Sequence, residues 1–279
     1  MERIDLHLHT TASDGTDTPA QLVRKAREAE ILAIAVTDHD TVAGVREAQE
    51  TGAALGVEVV TGIEVSSDYR DNNIHILGYF LDPESPALRP VLDWVRVERA
   101  ERNERIVAML AADGYAISME ELESREPAAV LGRPHMAELL MEKGYVDSVK
   151  QGFERLLGEG CRYYLPKRRI SMARAVETIR AAGGLAVLAH PLQYRYPRAE
   201  VIEMIEYARS LGIGALECYY SEHSREEQRW LLAQAEHYGL GVSGGSDYHG
   251  TRKTHIAMGS GMGDLAIPYS VLSELKQRQ

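Results

Sequence analysis

The chain has 279 residues, 44% of them hydrophobic and 26% charged, with a formal net charge of -11. Length and composition allow one large core, or a core plus a small appended unit, and no repeat or low-complexity segment is evident. The acidity excludes broad, non-specific nucleic-acid binding, which needs a basic face. It leaves room for a small phosphorylated substrate if divalent cations dominate the field of the site.

The sequence opens Met1-Glu2-Arg3 and reaches Asp5-Leu6-His7 at once, so no signal peptide is expected. No window approaches the roughly 18 apolar residues that a bilayer span requires. Cys161 and Cys218 form neither a ligand-spaced pair nor a disulfide framework. An intracellular, cytoplasmic protein is the expectation.

In chain order, the short apolar runs that read as strands are Arg3–His9, Leu32–Asp38, Val57–Val65, Ile74–Phe80, Leu185–His190, Gly214–Tyr219, Leu240–Asp247 and His255–Gly259. Helices lie between them. Thr18-Pro19 supplies an N-cap and a first-turn proline, Thr41 and Ser171 precede further helical runs, and Gly183-Gly184 and Gly239 stand where helices should stop. Strands alternating with helices predict a parallel α/β fold, and seven or eight such units predict a barrel. From residue 86 to 165 the rhythm changes to helical spacing alone. Leu88, Val91, Leu92 and Val95 share a helix face, Ser118 with Glu121 reads as a capping box, Pro134 starts a helix that Gly144 stops, and Ser148 caps another. The expectation is a barrel built from 1–85 and 166–279, interrupted by a helical insertion over 86–165 that could form a lid.

The histidines carry the chemistry. His7 and His9 stand at i and i+2 of the first strand and so share a face, and Asp247 and His249 repeat that spacing. His39 follows the run Leu32–Val36, Glu64 follows Val57–Ile63, His190 follows Leu185–Ala189, and Asp14 lies in a Ser-Asp-Gly turn. The C-terminal ends of parallel barrel strands share one rim, where active sites are built. His75 is the exception because it stands at the start of its strand, so either that boundary is misplaced or the strand runs differently. A lone strand-end histidine is more often a core or loop residue than a ligand. Six imidazoles and three carboxylates on one rim are different: buried without metal, they would demand dense hydrogen bonding. Imidazole with carboxylate and no thiolate suits Zn, Mn or Fe(II).

These residues resemble the PHP superfamily, named for polymerases and histidinol phosphatases. The resemblance rests on Asp5-Leu6-His7-Leu8-His9-Thr10, Thr37-Asp38-His39, Glu64, His75, His190 and Gly245-Ser246-Asp247-Tyr248-His249. It implies a distorted seven-stranded (β/α) barrel, TIM-like, holding two or three divalent ions, with manganese favoured and zinc or iron as alternatives. It further implies one ion on His7, His9, Glu64 and Asp247, a second on Glu64, His75 and His190, and a third on Asp14, His39 and His249. Glu64, Asp247 and His249 are then the expected catalytic groups.

Within that superfamily, Gly132-Arg133-Pro134-His135 and Tyr164-Leu165-Pro166-Lys167 resemble the small stand-alone branch. The branch implies removal of the 3′-phosphate from nucleoside 3′,5′-bisphosphates, and trimming of short 5′-phosphorylated oligoribonucleotides. Histidinol-phosphate phosphatase is the alternative enzyme, amide hydrolysis a weaker one, and a non-catalytic metal-binding regulatory module the alternative of another class. No long nucleic acid, membrane or obligate protein partner is expected. A second phosphate needs cationic contacts, for which arginine's planar fork is suited. The candidates are Arg99 and Arg102, in line with Arg105 on one helix, Arg133 and His135 at a helix start, Lys167 beside Arg168 and Arg169, His223 at a strand end, and Asp14. The helix arginines could equally be a solvated face paired with Glu98, Glu101 and Glu104, and His223 a plain loop residue.

Overall fold

The computed structural model describes residues 2–125 and 130–279. Among the described residues nine strands and ten α-helices follow in chain order: β1 Arg3–Leu8, α1 Pro19–Glu28, β2 Ile31–Val36, α2 Val45–Leu55, β3 Glu58–Tyr69, β4 Asn72–Tyr79, α3 Arg89–Ala112, α4 Met119–Arg125, α5 Arg133–Glu142, α6 Val149–Gly152, β5 Ile170–Ser171, α7 Met172–Ala181, β6 Leu185–Leu188, α8 Arg198–Leu211, β7 Ala215–Tyr220, α9 Arg225–Tyr238, β8 Gly241–Gly245, β9 Ile267–Pro268 and α10 Tyr269–Lys276. None of the described helices is long and apolar enough to cross a membrane. The chain forms two compact units, Met1–Val91 with Arg169–Gln279, and Leu92–Arg168.

In the first unit the strands hydrogen-bond in the order β8-β7-β6-β4-β3-β2-β1-β9, with β5 added to β3. The sheet curls until it nearly closes. Beyond β8 the Asp247 amide donates to the His7 carbonyl at 2.9 Å, and the His9 amide to the Tyr248 carbonyl at 3.0 Å. Gly245 permits this approach: a Cβ there would lie 2.3 Å from the His7 amide nitrogen. The closed part is thus a seven-stranded barrel of β1, β2, β3, β4, β6, β7 and β8. Its distortion is β4, which runs antiparallel to both neighbours, β3 and β6. Reversal brings the early residues of β4 to the rim where the other six strands end.

The core beneath the rim packs Ile4, Leu6, Ala33, Leu77, Tyr79 and Val187. Tyr79 keeps its buried hydroxyl satisfied by donating to the Leu6 carbonyl at 2.9 Å, with Ser243 Oγ at the same distance. A second cluster sets Leu22, Val23 and Ala26 of α1 against Ile34 and Val36 of β2. The start of α1 is fixed by a full capping box between Thr18 and Gln21, with Pro19 in the first turn. Ser171 caps α7, and Gly239 ends α9 at φ 67°.

Two sequence expectations fail here. Thr41 does not start a helix. It closes a turn on the Ala43 amide, and α2 begins after Gly44. His255–Gly259 is no strand but a series of turns with one bridge, Ala257 to Gly261. The added strand is β9, whose Ile267 and Pro268 pair antiparallel with Ile4 and Arg3. Two residues are too few to show a period of two.

The second unit contains α4, α5, α6 and most of α3. Its core gathers Ile106, Leu110, Leu122, Met136, Leu140 and Leu157. Ser148 caps α6 by accepting from the Gln151 amide at 3.1 Å, and Ser118 accepts from the Glu121 amide at 3.1 Å before α4.

Candidate metal centre

β1 and the residue that follows it deliver His7 and His9 to one face, as the alternation of an extended chain requires. Their Nε2 atoms stand 3.4 and 3.2 Å from Glu64 Oε2, and 3.6 and 3.3 Å from Asp247 Oδ1. Ligands about 2.0–2.2 Å from a tetrahedral ion are separated by about 3.3–3.6 Å, from the geometry of the polyhedron. The spacing is therefore that of a coordination shell. These four groups are the set the resemblance assigns to one ion.

Glu64 also faces the opposite way. Its Oε1 is 2.8 Å from His75 Nδ1 and 3.1 Å from His190 Nε2, while His39 Nδ1 approaches Oε2 at 3.0 Å. His75 reaches the rim because β4 is antiparallel: it pairs with Ser66, two residues beyond Glu64. Around Asp14 a third group forms, with His249 Nε2 at 3.3 Å, His9 Nδ1 at 3.8 Å and His39 Nε2 at 4.0 Å from Oδ1. All nine sequence-predicted donors are thus brought together. Two rings serve two groups each: His9 and His39 turn one nitrogen to Glu64 and the other to Asp14.

Many of the atoms that face the cluster have no hydrogen-bond partner among the described residues. Buried and without a hydrogen bond are His7 Nε2, both ring nitrogens of His9, Asp14 Oδ1, His39 Nδ1, Glu64 Oε2 and His75 Nδ1. Leaving one such group unsatisfied costs about 1–3 kcal/mol, so seven in one place mark a site shaped for cations rather than a hydrogen-bonded network. The residues fit divalent ions on this ground.

Charge agrees. Burial alone would raise the carboxyl groups, yet Glu64 is held well below its usual value by His39, His75 and His7, and Asp247 by Lys253, His249 and His7. Burial pushes His75 down to about 4, helped by the neighbouring His39 and His190 rings, and burial with His9 and Lys253 brings His249 to about 4. Burial also opposes charge on His9, but Asp247 and Glu64 outweigh it and hold the ring up at about 9. His7 is raised in the same way by Glu217, Glu64 and Asp247.

Several further residues, to which the sequence alone assigns no role, support the cluster. Asp247 offers Oδ1 to the cluster, and Oδ2 accepts from the Tyr220 hydroxyl at 2.8 Å and the Lys253 ammonium at 2.6 Å. Asp38 accepts from the Thr10 amide at 2.7 Å and from the Thr10 and Ser13 hydroxyls at 2.6 Å, which fixes the turn that carries Asp14. Asp5 accepts from the Ser246 and Gly259 amides at 2.8 and 2.7 Å and ties the first strand to the loop holding Asp247. Glu217 accepts from His7 Nδ1. A charged residue in the apolar run Ala215–Tyr219 was the available signal for it. Backbone strain marks the same rim: His190 has φ 25° and Asp247 φ 58°.

Of the expected substrate contacts, Asp14 lies in the cluster. His223 is buried in the first unit, with Nδ1 3.2 Å from the Cys218 carbonyl, its ring 5.0 Å from Tyr220, and Nε2 without a hydrogen bond. Arg99, Arg102, Arg133, His135 and Lys167 belong to the second unit. There Arg102 donates Nε to the Leu165 carbonyl at 2.8 Å. Arg133 donates to the Leu157 carbonyl at 3.0 Å while its guanidinium lies over Phe153 and Tyr164. His135 accepts from the Gly132 amide at 3.0 Å and so caps its own helix. The guanidinium of Arg99 lies beside Gly132.

The model of the PHP domain matches residues 5–243. A 5′-3′ exoribonuclease of Haemophilus influenzae is 32% identical over 248 residues, 89% of this chain and 90% of that protein. A 3′,5′-nucleoside bisphosphate phosphatase of Chromobacterium violaceum is 32% identical over 250 residues, 89% and 88% of the two chains. A phosphoribosyl 1,2-cyclic phosphate 1,2-diphosphodiesterase of Eggerthella lenta is 33% identical over 255 residues, 88% and 94% of the two. Among solved structures, a protein from Bifidobacterium adolescentis provisionally described as a metal-dependent phosphoesterase superposes with a TM-score of 0.90 at 28% identity, covering 99% of this chain and 96% of that one.

Proposed function

We propose, from the premise that this chain belongs to the PHP domain family, that it is a metal-dependent phosphoesterase removing the 3′-phosphate from nucleoside 3′,5′-bisphosphates, with short 5′-phosphorylated oligoribonucleotides as further substrates. The observation that carries the reading is the division of Glu64 between His7, His9 and His39 on Oε2 and His75 and His190 on Oε1. One buried carboxylate shared between two donor groups suits a pair of close ions, with manganese our choice and Asp14, His39 and His249 holding a third. When bound, such ions supply the Lewis acidity that lowers the pKa of water towards about 7 and neutralises phosphoryl oxygens.

The chain's own residues do the rest. His75 and His249, held neutral down to about 4, present lone pairs rather than protons at ordinary pH. Asp247 is pinned through Oδ2 by Tyr220 and Lys253, so that Oδ1 stays aimed at the cluster. The Lys253 ammonium is partly exposed beside that rim, placed to receive a non-bridging phosphate oxygen. Cys161 and Cys218 are both free, which fits a reducing compartment, and we place the protein in the cytoplasm.

Monoesters and diesters draw on the same ion chemistry, and relatives of nearly equal identity carry different names. Substrate must therefore be decided by assay. Adenosine 3′,5′-bisphosphate, a 5′-phosphorylated trinucleotide, histidinol phosphate and a five-membered cyclic phosphodiester should be compared with manganese-loaded protein. The bisphosphate should give the highest kcat/KM. A preference for histidinol phosphate or the cyclic diester would overturn the substrate, and no turnover of any phosphoester would overturn the enzyme.

A further inference from the structure

Glu217 is a fully buried carboxylate in the middle of β7, between Leu216 and Cys218. Its Oε1 lies 2.8 Å from His7 Nδ1, and its Oε2 accepts from the backbone amide of His190 at 2.8 Å. A carboxylate here can only accept, so the His7 proton sits on Nδ1 and the Nε2 lone pair is left facing Glu64 and Asp247. His190 has φ 25°, a conformation that a residue with a side chain keeps only when its surroundings hold it. The pairing of β7 with β8 slips immediately after Glu217, the kind of irregularity that re-aims side chains beside active sites.

We infer that Glu217 is a positioning residue that fixes His7 through its ring and His190 through its backbone, and so sets the separation of the two donor groups on Glu64. It does not ligate, because its Oε1 meets the His7 ring at the nitrogen opposite the one facing the cluster and its Oε2 is taken by the His190 amide. The inference rests on the reading of the cluster as a metal centre. Both contacts need an acceptor, and nothing but a carboxylate offers two on one short side chain. Glutamine offers one acceptor and one donor. Glu217→Gln must therefore set its amide hydrogens against either the His7 Nδ1 proton or the His190 amide, whichever way it turns.

The experiment uses zinc as a diamagnetic probe on the full chain labelled with nitrogen-15 histidine. In the wild-type protein, proton–nitrogen correlation spectra should show a His7 Nδ1 proton slow to exchange and Nε2 bound to zinc. In Glu217→Gln that proton should lose its protection, and zinc affinity measured by chelator competition should fall at least about tenfold, the usual effect of losing an outer-shell partner. A wild-type spectrum with the proton on Nε2 would overturn the inference even if the variant does not fold. So would Glu217→Gln with unchanged affinity and an unchanged spectrum. Wild-type protein that binds no metal would instead sink the metal reading itself, so the two failures are distinct.

Discussion

The Nδ1 atom of His75 stands 2.8 Å from Oε1 of Glu64, although His75 lies early in β4 and Glu64 midway along β3. Their meeting depends on the antiparallel run of β4, and it leaves Oε2 of the same carboxylate for His7, His9 and His39. Glu64→Gln replaces one acceptor oxygen by a donor and so cannot serve both groups. It should lose more than one ion per chain by elemental analysis and reduce kcat by more than the 10–100-fold typical of outer-shell changes. Full metal content with a normal rate would contradict the shared role.

Metal binding should release protons. Without ions His9 is held up at about 9 and so carries a proton at pH 7.5 that a cation must displace, and Glu217, Glu64 and Asp247 raise His7 in the same direction against its burial. The sign follows: apparent affinity rises with pH and levels off only above about 9. Titration calorimetry in buffers of different ionisation enthalpy should report net proton release at pH 7.5. Proton uptake, or affinity independent of pH between 6 and 8, would contradict the electrostatic account.

Lys253 and a bound cation compete for the charge of Asp247. Lys253→Met should therefore leave metal retention equal or stronger, because a like charge beside the ions is gone, while Tyr220 still holds Oδ2. KM for a bisphosphate should rise about tenfold, in keeping with one lost charge-assisted contact of about 1.5 kcal/mol. Weaker metal binding with unchanged KM would reverse the assignment.

Gly245 lets β8 approach β1. A methyl group there would lie 2.3 Å from the His7 nitrogen and Cβ, against backbone that cannot turn aside. Gly245→Ala should cost about 3 kcal/mol or more, lowering Tm by about 6 °C or more in thermal unfolding, and it should weaken metal binding through His7. A Tm within about 2 °C of the parent would show that the barrel closes less tightly than described.

Much of this centre was legible in the residues themselves. The His-x-His spacing of His7 and His9 fixes a shared face without any knowledge of the fold, and Glu64 and His190 follow their apolar runs directly. What was not legible was direction. No local pattern tells a parallel from an antiparallel strand, so His75 looked misplaced until β4 was seen to pair backwards with both neighbours. Supporting groups were hidden for a different reason. Asp38, Glu217 and Lys253 act through contacts 25 or more residues away, or through a loop with no periodicity, and only their burial among apolar neighbours or their pairing with Asp247 shows their part.

The most direct test of the account is the metal content of freshly purified protein, measured beside phosphoesterase activity before and after stripping with chelator. Two or three divalent ions per chain should be found, with activity on adenosine 3′,5′-bisphosphate abolished by stripping and restored by manganese. Protein free of metal as isolated, and as active after chelation as before, would contradict it.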